Sequence, residues 1–336
     1  MLAHTPHPFA KFVAILGRGK TKQRHLTIEE SREAMEMVLA DEVLPEQLGA
    51  FLMLLRLKEE APEEIAGFVQ ATRSTLDLPS RPVSVDLDWS SYAGKRIQLP
   101  WFVLSVLALV DAGYKVAMHG TEGHTPGRVY TRGVVQMLGL SVARTLTEAA
   151  DQVDETGFTY IPLEVLSPRL RELIELRPIF GLRSPVHTFT RMINPFAAPV
   201  MMNGIFHRGF MDIHSGAARL LQQPAMAVFR GEGGEIERRP NKPTQVWTTH
   251  GDAEPQVETW PPLLGDAHQP VDETMDVDKL VDVWTGASED PYALASVLGT
   301  LAITLRTMGK ADSIEDAERL AGETWEQRDR SLPGRP

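Results

Sequence analysis

Between residues 25 and 76 apolar side chains recur at helical spacing; beyond them the pattern changes to short apolar runs, glycine-bearing loops and further helices. That change of pattern constrains the fold more than any other feature. It predicts a small all-helical N-terminal domain followed by a larger α/β domain with a mainly parallel central sheet. With 336 residues and 43% hydrophobic content there is enough chain and enough core for both. The boundary falls in the proline-broken connector near residue 78, giving a helical domain over 1–77 and an α/β domain over 78–336. Helices from about 160–190 are expected to join the first domain.

Local signals sharpen this reading. Thr27 and Glu30 have the spacing of a capping box, in which hydroxyl and carboxylate each satisfy an amide left free at a helix start. Pro45 and Pro62 suit the first turn of the two helices that follow, and residues 9–16 suit a short helix before them. In the larger domain, residues 101–113 read as a buried helix, 114–120 as a strand, 127–140 as the next helix, and 225–235 as a strand entering a glycine loop. Residues 290–309 read as a late helix. The acidic, proline-rich stretch 248–278 reads as loop.

Charge is unevenly spread. The net charge is −11, but residues 250–336 hold 18 acids against 7 Lys and Arg, so the remainder is neutral. Lys11, Arg18, Lys20, Lys22 and Arg24 all precede the first acid, Glu29. Residues 176–211 contain Arg177, Arg183, Arg191 and Arg208 and no acid. Fields act within about 8–10 Å at ordinary salt, so an acidic chain can still present basic surfaces. The absence of cysteine excludes disulfides and thiolate chemistry. No run of about 18 apolar residues is present, and the N-terminal apolar run is interrupted by Lys11, so no membrane partner and a cytoplasmic location are expected.

Several blocks resemble anthranilate phosphoribosyltransferases: residues 26–31 and 47–73 of the helical start, "KVAMHG" at 115–120, "RPIFGLRSPVHTFTRMINP" at 177–195, and "FRGEGGEIE" at 229–237. The resemblance implies a homodimer built through the helical domain, with a site in the cleft between domains. It also exposes departures from the family motifs. Where the family has a glycine-rich diphosphate loop, this chain reads "SSYAGK" at 90–95, with Lys95 and Arg96 in place of an acid. The phosphate-binding hydroxyl group of residues corresponds to Pro100, Trp101, Phe102 and Val103. The family's Lys-His-Gly-Asn-Arg becomes Met118, His119, Gly120, Thr121 and Glu122, and its acidic magnesium pair becomes Ile236 and Glu237. "GRGK" at 17–20, "HG" without its lysine, 181–188 and "GEGGE" at 231–235 resemble the YbiB-like branch. That branch lacks the parent activity and is associated with nucleic acid.

The resemblance therefore implies loss of phosphoribosyl transfer, no catalytic residues and no cofactor. The expected partner is single-stranded nucleic acid, held through phosphates without base reading. The expected phosphate-binding residues are Arg18, Lys20, Lys22, Lys95, Arg96, His119, Gly120, Arg128, Arg177, Arg183 and Arg191. Two rivals stay open. One is a transferase of the same family with another acceptor, using Mg²⁺ held by Glu237 and its neighbours. The other is a module for a small anionic ligand.

Overall fold

The computed structural model describes residues 5–19 and 21–331. The chain opens with helices α1 (Ala10–Gly17), α2 (Ile28–Leu39), α3 (Pro45–Lys58) and α4 (Pro62–Ser74). There follow β1 (Leu87–Ser91), α5 (Phe102–Asp111), β2 (Val116–Gly120), α6 (Thr131–Met137), α7 (Leu146–Thr156) and β3 (Phe158–Pro162). Four short helices come next: α8 (Leu163–Leu166), α9 (Pro168–Glu175), α10 (Arg177–Phe180) and α11 (Val186–Phe189). The remainder is β4 (Val200–Ile205), α12 (Phe210–Leu220), β5 (Ala225–Arg230), β6 (Thr244–Thr249), β7 (Gln256–Trp260), α13 (Asp278–Thr285), α14 (Pro291–Thr307) and α15 (Ile314–Glu326).

The helix starts follow from local chemistry. Thr27 Oγ1 accepts the Glu30 amide at 3.2 Å and the Glu30 carboxylate accepts the Thr27 amide at 3.0 Å, so the capping box forms. Pro45 and Pro62 sit in the first turns of α3 and α4, where no intrahelical donor is lost. A ladder of phenylalanines then runs through the bundle. Phe9 meets Phe51 at 5.1 Å, Phe51 meets Phe68 at 6.1 Å, and Phe68 meets Phe189 at 5.4 Å between ring centroids. Phe189 belongs to α11, so the 163–189 helices share their core with α1–α4.

The described residues form a seven-stranded sheet in the order β3-β2-β1-β4-β5-β6-β7. β3, β2, β1, β4 and β5 run parallel, while β6 and β7 are added antiparallel. Alternate side chains go to opposite faces. Leu87, Trp89, Met118, Met202 and Phe229 pack with α5 and α14, whereas Ile161, Met201, Met226 and Val228 share the core of the helical bundle. The sheet therefore fastens the two domains across one continuous apolar layer. Strand order reverses between β1 and β4, which opens a crevice at their carboxyl ends, the usual ligand position in open parallel sheets.

One expectation is corrected. The segment 248–278 contains β7, paired with β6 from Thr244↔Trp260 to Thr248↔Gln256. Its acids disguised a strand whose buried Trp260 lies under Arg238, 5.0 Å from the guanidinium carbon. Among the described residues, no helix is long and apolar enough to cross a membrane.

Candidate functional site

At the carboxyl end of β1 the chain turns through Tyr92, Ala93, Gly94 and Lys95 before entering α5. Free amides at such a turn and at a helix start are ready acceptors of an anion. Here the protein supplies its own. Glu235 Oε1 accepts the Ala93 amide at 2.7 Å and the Gly94 amide at 2.6 Å. Glu237 accepts the Phe102 amide, at the start of α5, at 2.9 Å, and its other oxygen pairs with Lys95 Nζ. All of these groups are buried. Burial raises the Glu237 carboxyl above its ordinary range, opposed by Lys95 and the Phe102 amide. Two internal carboxylates thus take up the amides of this turn and of the α5 start.

The same commitments bear on a metal. The fold family implies Mg²⁺, which needs free oxygen ligands. Ile236 is apolar and buried, Glu237 spends both oxygens on Lys95 and the Phe102 amide, Glu232 pairs with Arg239 at 3.2 Å, and Glu235 keeps one unpartnered oxygen, Oε2. These residues do not fit a magnesium ion. Among the described residues no group of three or more His, Asp or Glu is arranged to hold a metal.

The second loop follows β2, whose last residues are His119 and Gly120. His119 is fully buried, bonded through Nδ1 to the Tyr92 hydroxyl at 2.8 Å and facing Asp88 at 3.4 Å. Gly120 is also buried: a Cβ there would meet the Ser91 carbonyl oxygen at 2.0 Å, so glycine is required for strand packing. Glu122, where the resembled motif has an arginine, pairs with Arg132 at 2.6 Å. The loop is then pinned to its neighbours. Lys95 and Val129 exchange both backbone hydrogen bonds at 2.8 Å, and Arg128 donates to the carbonyls of Ala93 and Gly94 at 2.9 and 3.0 Å.

Opposite this loop lie the arginines of the 177–191 segment. Arg177 donates to the His124 carbonyl at 2.8 Å and to the Thr125 hydroxyl, which also accepts from Arg183 at 3.3 Å. Arg191 is buried and donates to the carbonyls of Gly204 and Gly234 at 3.0 and 3.1 Å. Among the described residues, none of Arg128, Arg177, Arg183 and Arg191 forms an ion pair with a carboxylate. Burial, and then repulsion from Arg128, Arg177 and Arg191, pulls Arg183 down to about 10. Burial, reinforced by Arg183 and Arg177, holds His124 near 4, so it is neutral at physiological pH. A cavity of about 120 Å³ opens here, lined by Arg56 of α3, Tyr92, Arg183, His187, Arg191 and Phe206 among others. It lies between the helical domain and the carboxyl edge of the sheet.

The expected phosphate-binding residues therefore separate. Arg128, Arg177, Arg183 and Arg191 come together, Arg191 as a buried brace of the cavity wall. Arg96 is exposed next to the buried Lys95, and Arg18 and Lys22 are exposed after α1. Lys20 lies outside the described residues. Three expectations are corrected: Lys95, His119 and Gly120 are buried and engaged by protein atoms, so none of them meets an external phosphate. Lys95→Met is accordingly expected to destabilise the fold by about 3–5 kcal/mol, because it leaves the buried Glu237 without its partner. Urea unfolding checks this, with Lys95→Met/Glu237→Leu expected to recover most of the loss. An unchanged midpoint for the single variant would contradict the assignment.

Comparison with known proteins agrees with this geometry. Residues 14–76 match the model of the glycosyl transferase family helical bundle domain. The anthranilate phosphoribosyltransferase of Syntrophomonas wolfei is 26% identical over 306 residues, covering 89% of each chain. The crystal structure of anthranilate phosphoribosyltransferase from Thermus thermophilus superposes with a TM-score of 0.78 at 21% identity, covering 95% of this chain and 94% of that one. The chain thus resembles anthranilate phosphoribosyltransferases in sequence over most of its length and shares their fold. Its likeness to the YbiB protein of Escherichia coli, 27% identical over 250 residues with 71% of this chain and 75% of that protein covered, supports the YbiB-like branch.

Proposed function

We propose that this protein is a degenerate family member that transfers no phosphoribosyl group and binds single-stranded nucleic acid without sequence preference. Binding uses phosphate contacts in the basic cleft between domains, chiefly Arg96, Arg128, Arg177 and Arg183, with Arg18 and Lys22 as outer contacts. The observation that carries this reading is the arginine cluster without ion-paired acids, beside an anion cradle that the chain fills with its own Glu235 and Glu237. A magnesium diphosphate is thereby disfavoured, while unchelated phosphates still meet a positive field. The test is fluorescence anisotropy with a 30-mer single strand at low salt, where binding is expected and its absence would overturn the reading. The small size of the arginine-walled cavity, about 120 Å³, favours a small-anion module as the second reading. Stabilisation by a small carboxylate, with no binding of the 30-mer, would select it.

The functional unit is a homodimer in this proposal. The start of α3 and helices α9–α10 surround a groove of about 630 Å³ whose walls include Leu44, Leu48, Leu173, Leu176, Ile179 and Phe180. Leu44 is 52% and Ile179 77% exposed, an arrangement suited to a second copy. Sedimentation at micromolar concentration is expected to give a dimer, and a monomer would refute it.

A further inference from the structure

β4 and β5 end side by side, with Ile205 opposite Arg230. The next residue, Phe206, stands at the carboxyl edge of the sheet beside the crevice between β1 and β4. Among the described residues it is the most exposed Phe, Tyr or Trp side chain, at 47%. Every other such ring is at least partly withdrawn from solvent, and the tryptophans Trp89, Trp101, Trp260, Trp284 and Trp325 are buried. Leaving this ring open is therefore an exception to how the chain treats its large aromatics.

Its surroundings are cationic. The Arg230 guanidinium lies 5.6 Å from the Phe206 centroid, within cation–π range. His207 meets the ring edge-on, with centroids 5.0 Å apart. Arg208 is exposed two residues on and donates to the Gln245 side chain. Arg230 is lowered first by partial burial and then by Arg239 and Arg208, so the three guanidiniums share one field. The opposing carboxylate is Glu232, and it pairs with Arg239 at 3.2 Å. On the inner side Phe206 also lines the arginine-walled cavity with Arg183 and Arg191. An open ring set in a basic rim matches the chemistry of a strand with unpaired bases: the ring takes a base face and the cations take the flanking phosphates. A duplex keeps its base faces stacked and cannot use the ring in this way.

We propose that Phe206, braced by Arg230, is a base-stacking platform that makes the cleft select single-stranded over duplex nucleic acid, with Arg208 and Arg230 holding the adjacent phosphates. This rests on the nucleic-acid reading above and adds to it a specific contact and a strand preference.

The test compares a thymidine 12-mer with an abasic 12-mer of equal charge, using the full chain at low salt. Wild-type protein is expected to bind the thymidine strand about 5- to 150-fold more tightly, the range that one base–aromatic stack supplies. Phe206→Ala is expected to remove most of that difference while leaving abasic binding and the salt dependence as they are. Phe206→Trp is expected to restore it, and because the native tryptophans are mostly buried, quenching of the new indole by the thymidine strand reports stacking directly. Equal wild-type binding of the two strands overturns the platform, as does a Phe206→Ala variant that still discriminates, and in both cases the phosphate-binding reading stands. If neither strand binds to wild type, both proposals fail.

Discussion

Incubated with anthranilate, phosphoribosyl diphosphate and Mg²⁺, the protein is expected to consume no anthranilate above the uncatalysed rate. The expectation comes from where the amides of the family's diphosphate region now point. Ala93 and Gly94 donate to Glu235, and Phe102 donates to Glu237. A leaving diphosphate would have to displace both carboxylates from buried hydrogen bonds and would then lie beside their charge. Loss of one positioned donor already lowers a rate by about 10²–10³, and here three are committed at once. The nearby lysine gives no relief, because Lys95 is buried and already paired with Glu237. A fluorescence assay of anthranilate follows the reaction. A thermal shift with phosphoribosyl diphosphate and Mg²⁺ gives a second readout, since a ligand at 100 times its dissociation constant stabilises by about 2.7 kcal/mol. Measurable turnover, or growth rescue of a tryptophan auxotroph lacking its own enzyme, would show that the carboxylates move aside and that the reading is wrong.

The helical start and the parallel core of the sheet were legible because their signals are local. Thr27 and Glu30 are three residues apart, Pro45 and Pro62 mark their own helix starts, and the strand-loop-helix run at 116–137 carries its pattern within one stretch. β7 was not legible. In Gln256–Trp260 only Trp260 is buried, and the strand exists because β6 offers it an edge. Acidic composition and nearby prolines outweighed that in any local reading.

The site was legible as departures from the motifs that the chain resembles and much less as a set of contacts. Met118, Ile236 and the altered 90–95 loop could each be compared with family motifs. The side chains that engage this loop lie far along the chain. Glu235 reaches Ala93 and Gly94, and Glu237 reaches Lys95, across 141 or 142 residues of sequence. Lys95 consequently read as a gained surface cation, when it is half of a buried pair. Phe206 was missed for a related reason: a phenylalanine after an apolar strand reads as core, and only the exposed edge between β4 and β5 shows otherwise. The arginines of 176–211 were found because an acid-free window needs no knowledge of distant partners.

Binding of a single strand by this cleft is expected to weaken steeply with salt. If about five phosphates are neutralised, log affinity should fall against log salt with a slope near −3.5, at ~0.7 per phosphate of a single strand. Raising salt from about 50 to about 200 mM should then reduce affinity by roughly 10²-fold. Arg183 and Arg96 are the informative positions. Arg183 sits among like charges with no ion-paired acid, and Arg96 is exposed beside the 92–95 turn. Reversing both to glutamate should weaken binding to every sequence alike and flatten the slope by about 1.4, the share of two phosphates. Lys279→Glu is the control, because Lys279 is exposed in the acidic third and already pairs with Asp272 at 3.4 Å. It should leave affinity and slope unchanged. Lys95 is left out of this series, since its reversal would unsettle a buried pair and confuse folding with binding. The decisive measurement is an anisotropy titration of a labelled 30-mer across a salt series for wild type, the double reversal and the control. Affinity that ignores salt, or a double reversal that binds like wild type, would place the contact somewhere other than this cleft.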